Sequence, residues 1–70
     1  KKHIYINTPQ IELDSALKLA GCVSTGGQAK HIIQNNEVRL NGEICDKRGK
    51  KLKPGDYFEF NNEIYEVKTG

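Results

Sequence analysis

The sequence contains no long hydrophobic run, and no segment approaches the roughly 18 apolar residues of a membrane-spanning helix. It shows no signal-peptide pattern either. Methionine and tryptophan are absent, so the core must come mainly from Ile, Leu and Val. The two cysteines, Cys22 and Cys45, lack the spacing of metal or redox motifs. These absences argue against membrane and disulfide-scaffold proteins and predict a soluble, cytoplasmic protein with free thiols.

The length of 70 residues predicts one domain, residues 1–70, with a small core. A chain of this size buries about 60% of the surface that it exposes when unfolded. We therefore expect modest stability, and a monomer. The first residue is Lys1 instead of methionine, which indicates a trimmed or processed start.

Charge is distributed unevenly along the chain, although the net charge is only +2. Residues 28–53 carry seven basic side chains against three acidic ones, whereas residues 54–70 carry one basic side chain against four acidic ones. A concentration of positive charge in one segment favours an anionic partner, and a phosphate backbone responds to such local charge.

The first of two predicted helices covers residues 12–20, where apolar residues recur at helical spacing. Gly21 is its predicted stop, and Asp14 or Thr8 its predicted cap.

The second predicted helix begins after Ser24 or Thr25, since either side chain can accept a backbone N–H of the first turn. Asn35 and Asn36 end it. Its buried stripe consists of Ala29, Ile32 and Ile33. Gly27, Lys30, His31 and Gln34 are then left toward solvent.

Short segments rich in β-forming residues predict a small sheet. They are residues 3–6, 38–40, 57–60 and 64–67. Asn41 and Gly42 form a strong hairpin signal, and residues 54–56 predict a second tight turn. Ile44 and Leu52 are expected to continue the sheet on either side of the charged turn. The predicted fold class is α+β: two packed short helices against a small, mostly antiparallel sheet.

The pattern T-x-x-Q-A-K-x-I-I-x-x-x-x-V-x-L-N-G, followed by L-K-P-G-D, resembles the S4 family of RNA-binding domains. The resemblance covers about residues 11–60. The matching residues are Gln28, Ala29, Lys30, Val38, Leu40, Asn41, Gly42, Gly55 and Asp56. It implies the αL motif, a pair of short helices beside a small sheet, and RNA binding.

One position departs from the family pattern, in which an arginine follows the serine that opens the second helix. Here Thr25 takes the place of the serine, and Gly26 and Gly27 follow. The sequence resembles small stand-alone bacterial S4-like proteins that have Gly-Gly at this site and a basic turn such as residues 47–52.

The candidate RNA-binding residues follow from the resemblance and from elementary electrostatics. Two glycines at a helix start expose backbone N–H groups, and the helix dipole favours an anion there. Lysine and arginine side chains nearby would neutralise phosphates. The candidates are Thr25, Gly26, Gly27, Gln28, Lys30, His31, Arg39, Asn41, Lys47, Arg48, Lys50 and Lys51. Asn41 is expected to fix the hairpin more than to contact RNA.

Three other interpretations compete with this one. The glycines could serve only close helix packing, and the lysines could be ordinary solvated charges. Residues 26–28 also spell the GGQ tripeptide of peptide-chain release factors, but the chain lacks the length and the other domains that such chemistry needs, so we interpret the match as coincidence.

No catalytic or metal site is predicted. Ser15 and Ser24 have no His or Asp at a meaningful spacing. The histidines and cysteines match no usual zinc spacing. We expect neither an enzyme nor a cofactor.

The sequence thus predicts a non-catalytic RNA-binding protein that recognises structured RNA through a basic helix–hairpin surface, with ribosomal RNA as the expected target. The aromatic residues lie mostly in strands, which favours recognition of RNA shape and backbone over base stacking. The resemblance implies a role in ribosome assembly or translation, with the ribosome or a ribosomal subunit as partner and tRNA as an alternative RNA. The rival hypothesis is an adaptor that docks an acidic protein, and DNA binding is a third.

Overall fold

The structure, a computed structural model, describes residues 1–70. It contains two α-helices and seven β-strands. In chain order these are β1 (Lys2–Ile6), β2 (Ile11–Glu12), α1 (Leu13–Leu19), α2 (Gly26–Gln34), β3 (Val38–Leu40), β4 (Glu43–Ile44), β5 (Lys51–Leu52), β6 (Tyr57–Phe60) and β7 (Glu63–Thr69). Neither helix has the length or the apolar character needed to cross a membrane.

Five of the strands form one sheet in the order β1-β7-β6-β3-β4. Three of its four pairings are antiparallel, and β1 pairs with β7 in parallel. The predicted α+β class, with two short helices against a mostly antiparallel sheet, is confirmed.

Pairs of residues with positive φ close both hairpins of this sheet. Asn41 and Gly42 have φ of 51° and 90°, and Asn61 and Asn62 have φ of 55° and 66°. Two consecutive residues with positive φ define the type I′ turn, whose twist matches that of the flanking strands. The hairpin predicted at Asn41 and Gly42 is therefore confirmed.

The core lies between the helices and one face of the sheet. It is a single cluster of buried residues. Its members are Ile4, Ile6, Leu13, Ala16, Leu17, Ala29, Ile33, Val38, Leu52, Phe58 and Val67. Period-two alternation along the strands places Val38 and Phe58 on the face toward the helices. The other face of the sheet has no helix over it.

The cap predicted for α1 is wrong. Glu12 occupies the N-cap position, and its side chain makes no capping hydrogen bond. The N–H groups of Leu13 and Asp14 instead donate to the carbonyl oxygens of Lys50 and Arg48, at 2.8 and 3.1 Å. These orphan donors of the first turn are satisfied by a distant segment, which local sequence patterns do not reveal.

The predicted stop of α1 is correct. Gly21 has φ of 80°, a conformation that glycine adopts without steric cost. The Cys22 N–H donates to the carbonyl of Leu17 and the Gly21 N–H to that of Lys18, both at 3.0 Å. This pair of bonds is the Schellman motif that commonly ends helices.

Leu52 does not continue the main sheet, contrary to expectation. It lies in β5, which pairs with β2 in a separate two-stranded sheet, with Leu52 opposite Ile11. Leu52 is completely buried, and its insertion into the core anchors the end of the charged segment at residues 47–51. Ile44 does lie in the main sheet, at its edge in β4.

Candidate nucleic-acid interface

The N-terminus of α2 is built by two reciprocal hydrogen bonds. Thr25 is the N-cap, and its Oγ1 accepts the Gln28 N–H at 3.1 Å. The Gln28 Oε1 reaches back and accepts the Ser24 N–H at 2.7 Å. This arrangement resembles a capping box, except that the glutamine accepts the N–H of Ser24, the residue before the N-cap, instead of that of Thr25. It fixes the first turn and leaves the Gln28 Nε2 as a free donor.

Gly26 and Gly27 leave the first turn of α2 open. A Cβ built on Gly26 meets nothing within 4 Å, and one on Gly27 meets only the Thr25 Oγ1 at 3.9 Å. Neither glycine has a positive φ. Close helix packing therefore does not require these glycines, and that interpretation is wrong. Their backbone N–H groups are orphan donors at the positive end of the helix dipole.

The GGQ tripeptide forms this first helical turn. Its glutamine is hydrogen-bonded into the cap through Oε1, so the three residues lie in regular structure and not at the tip of an extended loop. The geometry gives no support to a release-factor role.

Lys30 and His31 are exposed on α2. Lys30 forms no ion pair, so its ammonium group is available one turn beyond the glycines. His31 lies in the last turn of the helix, farther from the N-terminus. The C-terminal end of α2 is as predicted. Asn36, with φ of 61°, follows Asn35 in a second Schellman motif.

The basic turn, which we define as residues 47–51, is held to the rest of the molecule by its backbone. The carbonyls of Arg48 and Lys50 accept the first N–H groups of α1. The Lys50 N–H donates to the Lys47 carbonyl at 3.1 Å. Because the main chain makes these bonds, the side chains are free to project into solvent.

The charges of the basic turn differ in how they are paired. Lys51 lies 3.2 Å from a carboxylate oxygen of Glu12, and Lys47 lies 3.5 Å from one of Asp46. Both pairs are exposed, so they are weak and can yield to another anion. Arg48 and Lys50 have no carboxylate partner. These two side chains carry the most accessible positive charge of the turn.

Arg39 lies apart from the helices. It points away from the core, on the sheet face opposite to Val38 and Leu40, and the strand register places it across from Glu59. Its Nη1 is 3.5 Å from the Gly42 carbonyl. The structure thus does not place Arg39 on the same face as α2, although both are exposed.

Both polar atoms of the Asn41 side chain make a hydrogen bond within the protein. Its Oδ1 accepts the Tyr57 N–H at 3.0 Å, and its Nδ2 lies 3.3 Å from an Asp56 Oδ1. Asp56 in turn accepts the Lys53 N–H at 2.8 Å. Asn41 therefore links the hairpin to the turn around Gly55, whose φ is 102°.

The aromatic side chains divide between the core and the open sheet face. Phe58 is completely buried and stacks on Tyr65, with ring centroids 5.1 Å apart. Tyr5 and Tyr57 are exposed on the open face. The sequence did not predict Tyr57 as a site residue, although its hydroxyl lies beside Gly42. The reason is that alternating strand positions alone do not show that the outer face of the sheet stays uncovered.

The two shifted pKa values lie away from the basic turn. A hydrogen bond with Cys22, reinforced by burial, raises the pKa of Tyr65 from 10.0 to about 12. A hydrogen bond from Lys1 lowers the pKa of Glu66, and Lys68 and His3 contribute charge in the same direction. No group of three or more His, Cys, Asp or Glu side chains is positioned to hold a metal ion.

Comparison with known proteins agrees with this architecture. The family model described as S4 domain matches residues 4–68. The chain is 43% identical over 56 residues to the probable ribosome maturation protein RlbA of Bacillus subtilis (strain 168). That alignment covers 80% of this chain and 79% of the relative.

Proposed function

This chain belongs to the S4 domain family, and from that membership we propose that it binds structured RNA and acts in ribosome maturation, with ribosomal RNA as its target. Its similarity to a relative named as a probable ribosome maturation protein supports the cellular role. The protein binds without catalysis in this proposal, because its candidate residues supply charge and hydrogen-bond donors only.

The observation that carries the proposal is the construction of the basic turn. Its carbonyl groups cap α1, while the Arg48 and Lys50 side chains stay exposed without acidic partners. A turn whose main chain is fixed presents its charges with little further loss of backbone conformational entropy on binding. Phosphate groups are the anions that RNA offers at such a surface.

The N-terminus of α2 provides the second proposed contact. The N–H groups of Gly26 and Gly27 can donate hydrogen bonds to a phosphate oxygen at close range, because no side chain shields them. Lys30 would add its charge from the same helix. Shape and backbone recognition is favoured over reading of extended single strands, since the exposed tyrosines lie on the open sheet face and not at the basic turn.

The experiment compares two charge-matched double variants. Arg48→Ala with Lys50→Ala removes the unpaired charges and keeps the carbonyls that cap α1. Lys2→Ala with Lys68→Ala removes the same charge from β1 and β7, at the other side of the sheet. We expect the first to weaken binding to ribosomal RNA about tenfold or more and the second to change it little, in a filter or gel-shift assay.

Equal binding by both variants and the wild-type protein would contradict the proposed surface. Absence of RNA binding by the wild-type protein, with capture of an acidic protein instead, would favour the adaptor hypothesis. Competition between matched RNA and DNA duplexes separates RNA binding from general nucleic-acid binding. Crosslinking in cells followed by sequencing of the bound RNA would identify the target.

A further inference from the structure

An open crevice lies between the β3–β4 hairpin and the basic turn. Its apolar lining residues are Leu40, Ile44 and Cys45, and its volume is about 470 Å³. Leu40 and Cys45 pack against the core and are half-buried. Ile44 pairs with Arg39, lies on the other face of the sheet and is 52% exposed. Small-molecule sites have volumes of roughly 300–1,000 Å³. The crevice is therefore large enough for one planar ring system.

The rim of this crevice carries both signs of charge. Lys47 and Lys50 line it together with Glu43 and Asp46. Glu43 forms no ion pair, and Asp46 contacts Lys47 at 3.5 Å. A carboxylate repels phosphate, so the acidic groups do not serve the backbone contacts of the basic turn. An ionised carboxylate only accepts hydrogen bonds, and a nucleobase edge offers donors to it.

We propose that this crevice binds one unpaired guanine of the RNA, a proposal that rests on the RNA binding proposed above. The ring face covers Leu40 and Cys45, which lie on the same face of the sheet as Glu43. The Glu43 carboxylate accepts from the guanine N1–H and N2–H₂ groups, which lie side by side on its Watson–Crick edge. Lys47 and Lys50 neutralise the phosphates that flank the base.

Guanine fits the apolar lining of the crevice and the Glu43 carboxylate better than the other bases do. Adenine and cytosine each present one amino group on that edge, and uracil presents a single imino N–H, so none offers two adjacent donors to one carboxylate. Sequence-specific RNA recognition mostly targets bases in loops and bulges, where the edge is free. The crevice would thus add a base-specific contact to a surface that otherwise recognises shape and charge.

The test uses short RNA hairpins that differ only in one bulged nucleotide, which is G, A, C or U. Binding is measured by fluorescence anisotropy for the wild-type protein and for Glu43→Gln. We expect the wild-type protein to prefer the G bulge by about tenfold, as one bidentate base contact allows. Glu43→Gln should lose this preference because it binds the G hairpin more weakly. It should bind the A, C and U hairpins somewhat more tightly, because it removes a negative charge beside the basic turn.

Glu63→Gln is the matched control, since it removes the same charge from β7. It should keep the preference for G. A wild-type protein that binds all four hairpins equally, with a uniform gain of affinity in Glu43→Gln, would overturn the guanine site and leave the proposed RNA binding intact. A protein that binds none of the hairpins and no ribosomal RNA would overturn both proposals.

Discussion

Replacing Gly26 and Gly27 by alanine should stabilise the protein and weaken its binding to RNA. The added methyl groups meet no obstacle, because the nearest atom to either Cβ is the Thr25 Oγ1 at 3.9 Å from Gly27. Both residues have helical backbone in α2 and neither has a positive φ. Alanine is therefore compatible with the native conformation, and it reduces the entropy of the unfolded chain.

Alanine for glycine within a helix stabilises by roughly 0.5–1 kcal/mol, so the double variant should gain about 1 kcal/mol. In a domain of this size that gain raises the Tm by about 4–8 °C. The methyl groups would hold a phosphate away from the two N–H donors. Loss of one charge-assisted hydrogen bond, about 1.5–3 kcal/mol, weakens RNA binding by about tenfold or more.

The assay pairs thermal unfolding, followed by circular dichroism, with RNA affinity from a gel shift or from anisotropy. Gln34→Ala is the control, since it raises helix propensity at the other end of α2 without touching the N-terminus. It should preserve RNA affinity. Unchanged affinity in the glycine double variant would refute the anion site at this helix. A fall in Tm would refute the conclusion that the glycines are free of packing.

Three further predictions concern hydrogen bonds within the fold. Thr25→Ala removes the N-cap bond to Gln28 and should destabilise by about 1 kcal/mol, measured by urea unfolding. Asn41→Ala leaves the Tyr57 N–H without its acceptor and places alanine at φ of 51°, so we expect a loss of about 1–3 kcal/mol in the same assay. Cys22→Ala should return the pKa of Tyr65 from about 12 toward 10.0, because the Cys22 hydrogen bond is the largest cause of the shift. The raised pKa stabilises the native state below pH 10.0, and this contribution is lost as the pH rises through 12. Ultraviolet titration of tyrosinate measures the Tyr65 pKa. An unchanged value in the variant would contradict the role given to the Cys22 hydrogen bond.

The features that the sequence predicted correctly depend on local chemistry. Gly21 ends α1, and Asn41 with Gly42 closes a hairpin, because each turn needs a residue that tolerates positive φ. Thr25 caps α2 through a bond to a residue three positions away. Such signals lie within a few residues of one another, so a single sequence contains them.

The features that it missed depend on contacts between distant segments. Strands β2 and β5 have two residues each, too few to show a period. The cap of α1 comes from backbone carbonyls of the basic turn, and any residue type can supply a carbonyl. The position of Arg39 across from Glu59 follows from strand register, which is set by tertiary pairing.

The salt dependence of RNA binding shows whether the basic turn neutralises phosphate groups. Affinity for ribosomal RNA is measured over a range of salt concentrations for the wild-type protein, for Arg48→Ala with Lys50→Ala, and for Lys2→Ala with Lys68→Ala. If the basic turn neutralises phosphates, the slope of log affinity against log salt should shrink by about 1.4–1.8 in the first variant, at about 0.7–0.9 for each lost contact. The control should keep the wild-type slope. An identical slope in all three proteins would contradict the account.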